Sequence, residues 1–231
     1  MRDWRDFTQK PEVREIGDLR AVLRDPGCNR HGPAYLMFRD IARTPEDRAW
    51  LSSHGLRFDV TCIPPADFCG EYAKTKGHYH PHNPSGTGYP EVYQVIAGVA
   101  DFLLQSEDLK HVVLVRSGEG ETVLVPPGYG HVTINWGEDE LVMANIVASV
   151  FASDYRFYEE HRGAAYYELV TGELEKNPRY PPLPPIERTS ARSRKPGPWF
   201  FGPLYERVTA RDERLFSLVH PERFPELFSL S

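Results

Sequence analysis

Between residues 56 and 150 the chain is a series of short apolar runs separated by turn-forming Gly, Pro and Asn residues. The first run, residues 56–63, alternates apolar and polar side chains, as a half-buried strand does. Many short strands joined by turns, with few helical segments, are typical of a β-sandwich or β-barrel. The sequence therefore predicts an all-β domain with strands at residues 56–63, 72–75, 92–96, 100–105, 111–116, 121–125, 132–135 and 141–146.

The segments on either side of this domain differ from it. Residues 1–55 are charged and include helical apolar spacing at 13–23, so we interpret them as an N-terminal arm packed on the barrel. The β domain itself extends over residues 56–170. Residues 171–231 begin with a connector in which five of the eight residues 178–185 are proline, and they continue through a basic run at 188–195 expected to be a solvated linker. The aromatic residues 199–231 are expected to pack on the barrel or on a partner subunit.

Composition excludes several classes of protein. The net charge of −6 argues against nucleic-acid binding, and no apolar run is long enough to span a membrane. No apolar run follows the charged N-terminal residues 1–6, so no signal peptide is predicted. Three cysteines, Cys28, Cys62 and Cys69, form no CxxC pair, so we expect no disulfide framework and a cytoplasmic location.

A metal site is predicted from three histidines and one glutamate. His78 and His80 are two residues apart, so on a strand both side chains point to the same face. Glu91 begins a later strand, and His131 follows a Pro-Gly-containing turn. Three imidazoles and one carboxylate form a donor set that suits a divalent first-row metal.

Two spaced motifs resemble those of the cupin superfamily. The second cupin motif is matched position for position by Gly120-x5-Pro126-x-Gly128-x2-His131-x3-Asn135. The first motif is matched by His78-x-His80 and Glu91-x6-Gly98, although ten residues separate its two parts where the family has three or four. This insert is rich in turn residues, so it can loop out without moving either strand. The resemblance implies a cupin fold, a double-stranded β-helix or jelly-roll barrel with a few flanking helices and an extended C-terminal segment.

A narrower resemblance, over residues 56–170, is to the cupin-type phosphoglucose isomerases, and its most specific part is the run from Lys74 to Pro81. It implies interconversion of glucose 6-phosphate and fructose 6-phosphate in a homodimer, with one divalent ion per subunit, Fe²⁺ first and Mn²⁺, Ni²⁺ or Zn²⁺ as alternatives. The metal ligands implied are His78, His80, Glu91 and His131. Thr61, Thr75 and Gly77 occupy phosphate-binding positions, Tyr93 faces the sugar, and Tyr155 lies near the substrate.

The resemblance also implies a mechanism. Glu91 is the candidate base that moves a proton between C1 and C2 of the sugar, and Tyr93 holds the open chain. A hydride shift between the same two carbons is the alternative route.

Three departures from the family pattern keep other functions open. Ser153, Val147 and Gly128 stand where the family has a histidine, a tyrosine and an aromatic residue. A metal-containing cupin that binds a sugar phosphate without turnover is therefore the alternative hypothesis. A non-haem iron oxygenase fits less well, because Thr75 and Gly77 suit phosphate better than an apolar substrate.

Overall fold

The computed structural model describes residues 9–193 and 202–228. Within these ranges, three α-helices and several short 3₁₀ helices accompany a larger number of strands. The strands are β1 (Glu12–Glu15), β2 (Pro33–Phe38), β3 (Leu56–Ile63), β4 (Ala73–Lys74), β5 (Glu91–Ala97), β6 (Val99–Ser106), β7 (Val112–Gly118), β8 (Thr122–Val125), β9 (Tyr129–Asn135), β10 (Leu141–Ala148), β11 (Tyr166–Glu168), β12 (Leu174–Lys176) and β13 (Glu187–Ser190). The α-helices are α1 (Pro45–Ser53), α2 (Arg156–Glu160) and α3 (Leu204–Thr209), and 3₁₀ helices span Ile16–Val22, Glu213–Leu218, Pro221–Arg223 and Pro225–Leu227.

Two sheets enclose the core of the barrel. The larger sheet has the strand order β1-β2-β3-β10-β5-β8, and the second has the order β13-β7-β6-β9-β4. Strands far apart in sequence are neighbours in both sheets, as in a jelly-roll barrel. The main apolar cluster contains side chains of both sheets. The predicted fold, an all-β cupin barrel with a few flanking helices, is confirmed.

All eight strands predicted between residues 56 and 150 are present, and β3 has the predicted bounds. The helical prediction for residues 13–23 is partly wrong, because residues 12–15 form β1 before the 3₁₀ helix begins. Val13 of β1 pairs with Leu36 of β2, and Leu36 pairs in turn with Cys62 of β3. Residues 12–38 therefore extend the larger sheet. The predicted domain boundaries at residues 55 and 170 stay predictions.

The described part of the C-terminal segment covers the outer face of the larger sheet. Leu204 and Tyr205 of α3 belong to an apolar cluster with Phe58 of β3. Gln94 of β5 points outward, where its side chain accepts a hydrogen bond from Leu204 N at 2.7 Å and donates one to Gly202 O at 3.1 Å. Residues 199–201 and 229–231, which belong to the same predicted extension, lie outside the described residues.

The basic run at residues 188–195 differs from its prediction as a solvated linker. Its first residues lie in β13, which pairs in parallel with β7 at the edge of the second sheet. The register brings Arg188 beside Leu114. Sequence alone did not reveal the strand, because its residues are polar and its partner lies far away along the chain. Residues 194 and 195 lie outside the described residues.

Cys28 and Cys69 form a disulfide, so the prediction that the chain contains none is wrong. The two residues are 41 positions apart. Cys28 lies in the loop before β2 and Cys69 in the loop before β4, so the bond ties the N-terminal segment to the barrel. Cysteine number and spacing do not show which loops meet in space. Cys62 is fully buried in β3.

Two further predictions concern membranes and targeting. Within residues 9–193 and 202–228, no helix combines the length and the apolar character that crossing a membrane requires. Residues 1–6, where no signal peptide is predicted, lie outside the described residues.

Candidate active site

Strand β5 carries two of the predicted site residues on its inner face. Glu91 and Tyr93 line the cleft between the sheets, whereas Val92 between them belongs to the outer apolar cluster. This follows from the strand period, since successive side chains point to opposite faces. Glu91 is 3% exposed and Tyr93 6% exposed, so both polar groups lie in a dry environment.

The three histidines are brought together by backbone pairing. His78 N donates to His131 O at 3.3 Å, and His131 N donates to His78 O at 3.1 Å. This bridge places the two rings side by side, with centroids 4.4 Å apart. His80 lies two residues further along the same segment, and its ring centroid is 5.0 Å from that of His78.

The four predicted metal ligands converge on one point. Glu91 Oε2 lies 3.3 Å from His80 Nε2 and 3.4 Å from His131 Nε2. His78 Nε2 is 3.0 Å from His80 Nε2, and the ligand atoms of all four residues lie within 4.8 Å of one another. Metal–ligand bonds of about 2.0–2.2 Å place ligand atoms about 3–4 Å apart. The spacing therefore fits a single metal ion.

A second layer of residues orients these ligands. His80 Nδ1 lies 2.9 Å from Tyr89 O. Because a carbonyl only accepts, Nδ1 carries the proton and Nε2 presents its lone pair to the centre of the site. Asn145 Nδ2 donates to Glu91 Oε1 at 2.6 Å, and the Phe151 ring packs 4.6 Å from the His80 ring.

The ten-residue insert between His80 and Glu91 loops out as expected. Asn83 Oδ1 accepts hydrogen bonds from Ser85 N at 3.0 Å and from Thr87 N at 3.1 Å, so the loop closes on itself. Asn83 Nδ2 also donates to Glu222 Oε2 at 2.8 Å, which joins the loop to the C-terminal segment. The insert thus leaves the two ligands on either side of it in contact.

Burial sets the protonation states of the site. Burial lowers the pKa of His78 well below its usual range, and the nearby His131 and His80 rings act in the same direction. Burial also lowers the pKa of His131. For Glu91 burial opposes ionisation, but the contacts with His131 and His80 outweigh it and hold the pKa of this carboxyl well below its usual value. His78 and His131 are therefore neutral imidazoles and Glu91 is a carboxylate, the forms that bind metal.

An unpaired atom indicates that the site fits a cation. Glu91 Oε2 is buried and has no hydrogen-bond partner among the described residues. Leaving a buried charged oxygen without a partner is costly, whereas a bound cation would neutralise it. Three imidazole nitrogens and one carboxylate oxygen are a donor set that Fe²⁺, Mn²⁺, Ni²⁺ and Zn²⁺ all accept. The residues present therefore fit a divalent metal ion.

The four ligands lie in a cleft that opens between the two sheets. All four residues predicted to contact substrate, Thr61, Thr75, Gly77 and Tyr155, line this cleft. Thr75 Oγ1 accepts a hydrogen bond from Thr133 N at 3.0 Å, so its hydroxyl proton is available for a ligand. The sequence-predicted substrate residues are thus neighbours of the predicted metal ligands.

Gly77 is also required by packing. Its φ of +77° is strained for any residue with a side chain, and an added Cβ would lie 2.5 Å from Val132 and 2.7 Å from Tyr158. Glycine at this position therefore has a structural reason that is independent of phosphate.

The three departures from the family pattern have different consequences. Ser153 and Val147 line the cleft and change its surface. Gly128 lies at a turn with φ +74° and is not part of the described cleft lining. The Tyr155 ring lies 5.5 Å from the His78 ring, so one aromatic group of the expected site is retained beside the metal corner, the part of the cleft formed by His78, His80, Glu91 and His131.

Sequence reasoning missed several polar residues of the cleft. The alternation in β3 predicts two unlike faces, and Thr61 was the one residue of its polar face assigned to the site. Arg57 lies on the same face and also lines the cleft, whereas Phe58 and Val60 pack under α1 and the C-terminal segment. A signal was present, because residues two and four positions from Thr61 on a strand share its face. The missed residues of the cleft lining are Arg39, Arg57 and Asn145, and Asp59, whose carboxylate both arginines contact, was missed as well.

Comparison with protein families matches residues 13–184 to the family described as glucose-6-phosphate isomerase (GPI). The matched range covers most of the chain and contains every predicted site residue. The chain belongs to the glucose-6-phosphate isomerase family. The resemblance to this family and the predicted enzyme class, an aldose–ketose isomerase, are therefore confirmed.

Individual members of the glucose-6-phosphate isomerase family support this assignment. The glucose-6-phosphate isomerase of Thermococcus gammatolerans is 30% identical over 174 residues, which cover 73% of this chain and 86% of the relative. That of Thermococcus onnurineus is 30% identical over 155 residues, which cover 65% of this chain and 76% of the relative. Similarity thus extends over most of both proteins.

Solved structures are more distant from this family member. A recombinant oxalate oxidase in complex with glycolate has a TM-score of 0.37 and 19% identity, over 49% of this chain and 50% of the oxidase. The oxalate decarboxylase of Lactobacillus farciminis has a TM-score of 0.39 and 14% identity, over 54% of this chain and 32% of the decarboxylase. These similarities are weak, so the assignment rests on the family match and on the sheets themselves.

Proposed function

We propose that this member of the family is a metal-dependent isomerase that interconverts glucose 6-phosphate and fructose 6-phosphate. The observation that carries the proposal is the convergence of the His78, His80, Glu91 and His131 ligand atoms within 4.8 Å in a buried corner of the cleft. One divalent ion per subunit would be held there, with Fe²⁺ as the first candidate and Mn²⁺, Ni²⁺ and Zn²⁺ as alternatives. When bound, the ion supplies Lewis-acid stabilisation of negative charge developing on oxygen.

Glu91 is the proposed base. Its pKa is held well below the usual value, so the side chain is an unprotonated carboxylate near neutral pH, as a base must be. Asn145 fixes its Oε1 at 2.6 Å, which orients the carboxylate. Moving a proton between C1 and C2 in this way contributes about 10²–10⁴-fold to the rate. In D₂O, proton transfer incorporates deuterium at C2 of the product, whereas a hydride shift does not.

Tyr93 is proposed to hold the open-chain sugar. Burial, followed by the charge of Glu91, raises the pKa of Tyr93 well above its usual value, so the phenol stays protonated. Its hydroxyl lies 3.1 Å from His131 Nε2, at the edge of the metal corner, where it can donate to a sugar oxygen. Thr61, Thr75 and Gly77 are proposed to contact the phosphate, and Tyr155 is proposed to contact the sugar.

The decisive experiment follows glucose 6-phosphate formation from fructose 6-phosphate. Protein stripped with a chelator is assayed before and after addition of Fe²⁺ or Mn²⁺. We expect activity to disappear with the chelator and to return with metal. Absence of turnover with every metal, in protein that still binds metal, would contradict the proposal.

A second candidate is a sugar-phosphate-binding protein without turnover. Ser153 and Val147 favour it, because they replace a family histidine and a family tyrosine on the cleft surface. Such a protein would be stabilised against heat by fructose 6-phosphate but would form no product. The thermal shift and the turnover assay together separate the two candidates.

The oligomer and the cellular setting are also proposals. We propose a homodimer acting in the cytoplasm, on a reaction shared by glycolysis and gluconeogenesis. The edge strand β1, with Val13 46% exposed, is a candidate contact, whereas the outer face of the larger sheet is covered by this chain's own C-terminal segment. Light scattering after size-exclusion chromatography measures the mass of the assembly, and a monomer would contradict the dimer.

A further inference from the structure

A second charged cluster lies in the same cleft, on the wall formed by β2 and β3. Asp59 is fully buried at 0% exposure. Its carboxylate accepts hydrogen bonds from Arg39 Nη1 at 2.8 Å, from Arg57 Nε at 2.9 Å and from Asp40 N at 2.9 Å. Both guanidinium groups belong to residues that line the cleft. Of the described residues, Asp59 is the one buried carboxylate in contact with the two guanidinium groups, since the other acidic partner of Arg39, Glu12, is 66% exposed and 4.0 Å away; among buried groups this wall therefore carries a surplus positive charge.

Arg39 has hydrogen-bond donors that are poorly used by the protein. Its Nη2 lies 3.0 Å from Met37 Sδ, and a thioether is a weak acceptor. Its Nε is 4.0 Å from Glu12 Oε2, on a side chain that is 66% exposed. A guanidinium presents five donors in a planar fork that matches the oxygens of phosphate. Arg39 therefore fits an anionic ligand in the cleft.

The strand register places this guanidinium beside a residue already proposed to contact phosphate. Met37 of β2 lies opposite Thr61 of β3. The Arg39 Nη2 atom contacts Met37 Sδ, and Arg39, Met37 and Thr61 all line the cleft. A phosphate bound at the Thr61 hydroxyl is thus within reach of Arg39.

Lys76, the third basic residue that lines the cleft, differs from the two arginines in its ion pairing. Among the described residues that line the cleft, Lys76 is the only Lys or Arg besides Arg39 and Arg57. Lys76 Nζ lies 2.6 Å from Glu159 Oε1, so its charge is already balanced. The surplus charge of the cleft wall therefore belongs to the arginine pair.

We propose that Arg39 binds the phosphate group of the substrate, with Arg57 as a neighbouring positive charge and Asp59 as the positioning residue. This inference rests on the proposed function and adds a charged anchor to the hydroxyl and backbone contacts named above. A guanidinium fixed in advance by a buried carboxylate favours a dianionic phosphosugar over a neutral sugar, since the neutral sugar gains no charge-assisted hydrogen bond.

The test replaces Arg39 by Gln and measures two quantities in metal-loaded protein. The KM for fructose 6-phosphate is expected to rise about 10–100-fold, with kcat changed much less, because a charge-assisted hydrogen bond is lost. The affinity for inorganic phosphate, measured by calorimetry, is expected to fall in the same proportion. Arg39→Lys keeps the positive charge, so its KM for fructose 6-phosphate and its affinity for inorganic phosphate are expected to lie between those of the wild type and of Arg39→Gln. The matched control is Arg48→Gln, which removes the same charge from an α1 residue paired with Asp40 outside the cleft lining.

Unchanged KM and unchanged phosphate affinity in folded Arg39→Gln would overturn the inference. So would equal losses in Arg39→Gln and Arg48→Gln, which would indicate an effect of net charge alone. If Arg39→Gln does not fold, Arg39→Lys and Arg57→Gln take its place, and wild-type phosphate affinity in both would overturn the inference. Phosphate binding requires no turnover. An inactive wild type that binds phosphate through Arg39 would therefore refute the proposed function and leave this inference intact.

Discussion

Two corners of one cleft hold charge in different ways. In the metal corner, His78 and His131 have lowered pKa values, and the Glu91 carboxylate faces them with one oxygen unpaired. In the arginine corner, Asp59 is satisfied by three donors. The first corner therefore fits a cation that the chain does not supply, whereas in the second the buried carboxylate is satisfied by the protein and guanidinium donors remain for a ligand. Under the two proposals above, the first corner is the reacting centre and the second is an anchor that is formed in advance.

The two corners are also assembled differently. The metal corner joins one short segment, residues 78–80, to β5 and β9, and two of its ligands are only two residues apart. The arginine corner arises from the antiparallel pairing of β2 with β3, where Arg39 comes directly after Phe38 and Asp59 directly before its partner Val60. Each of the following experiments changes one corner and asks whether the other is affected.

The largest effect is expected from Glu91→Gln. This substitution keeps the size of the side chain but removes the anionic ligand and the proposed base, so fructose 6-phosphate turnover should fall by about 10²–10⁴-fold. Metal content should fall as well, while phosphate binding at the arginine corner should persist. The matched control is Glu107→Gln. The Glu107 carboxylate lies 3.0 Å from His82 Nε2 and is not one of the four predicted metal ligands. Wild-type turnover in Glu91→Gln would contradict both roles of this residue.

The next effect concerns the disulfide that ties the N-terminal segment to the barrel. Replacing Cys28 and Cys69 by Ser frees a loop of 41 positions, so the free energy of unfolding should fall by about 2–4 kcal/mol. Because Arg39 comes directly after β2, which the disulfide helps to hold on the barrel, we expect the KM for fructose 6-phosphate to rise while metal affinity stays unchanged. Denaturant titration and metal analysis check this. A reducing agent should reproduce the change in the wild type and have no further effect on the double variant.

A smaller effect is expected from Asn145→Ala. Loss of its 2.6 Å hydrogen bond to Glu91 Oε1 should weaken metal binding about 10–100-fold, as removal of an outer-shell partner does. Gln94→Ala is a matched control on the opposite face of the same sheet, where the amide bonds the C-terminal segment. That variant should lose stability and keep wild-type metal affinity. Competition with a metal-binding dye measures the metal affinity of each variant. Equal losses of affinity in Asn145→Ala and Gln94→Ala would refute the role of Asn145 in positioning Glu91.

The smallest effect is expected outside the cleft, at Glu168. Burial, followed by the charge of Asp101, raises the pKa of Glu168 to about 8, compared with a usual value of 4.5. Between these values the folded protein binds more protons than the unfolded chain. The contribution of Glu168 to stability is therefore fully present below about pH 4.5 and is lost as the pH rises to about 8.

Glu168→Gln removes this titration, so its melting temperature should fall less than that of the wild type between pH 5 and about 8. The metal affinity and the KM for fructose 6-phosphate of Glu168→Gln should equal those of the wild type, because neither corner of the cleft is changed. Parallel pH dependence in the two proteins would show that this carboxyl does not titrate as described.

Much of the fold could be predicted, because its strands carry local signals. The alternation in residues 56–63 gave β3 with its bounds. Both faces of this strand are covered, one by the second sheet across the cleft and the other by α1 and the C-terminal segment. An alternating pattern shows that the two faces differ, but it does not show which of them lines a cleft. The helical spacing at residues 13–23 failed for a related reason, since pairing with β2 overrides a weak local preference.

By itself, the sequence determined the strands between residues 56 and 150, the family and the four residues that could hold a metal ion. These features are local in the sequence and do not depend on how the barrel packs. They are two histidines on one strand face, a glutamate at the start of a strand and a third histidine in a spaced motif. Only the tertiary structure decided that Arg39, Arg57 and Asp59 share one wall, that Asn145 holds Glu91, and that Cys28 meets Cys69. Those contacts depend on strand register and on which loops approach each other, and both are set by burying the apolar faces of the whole barrel at once.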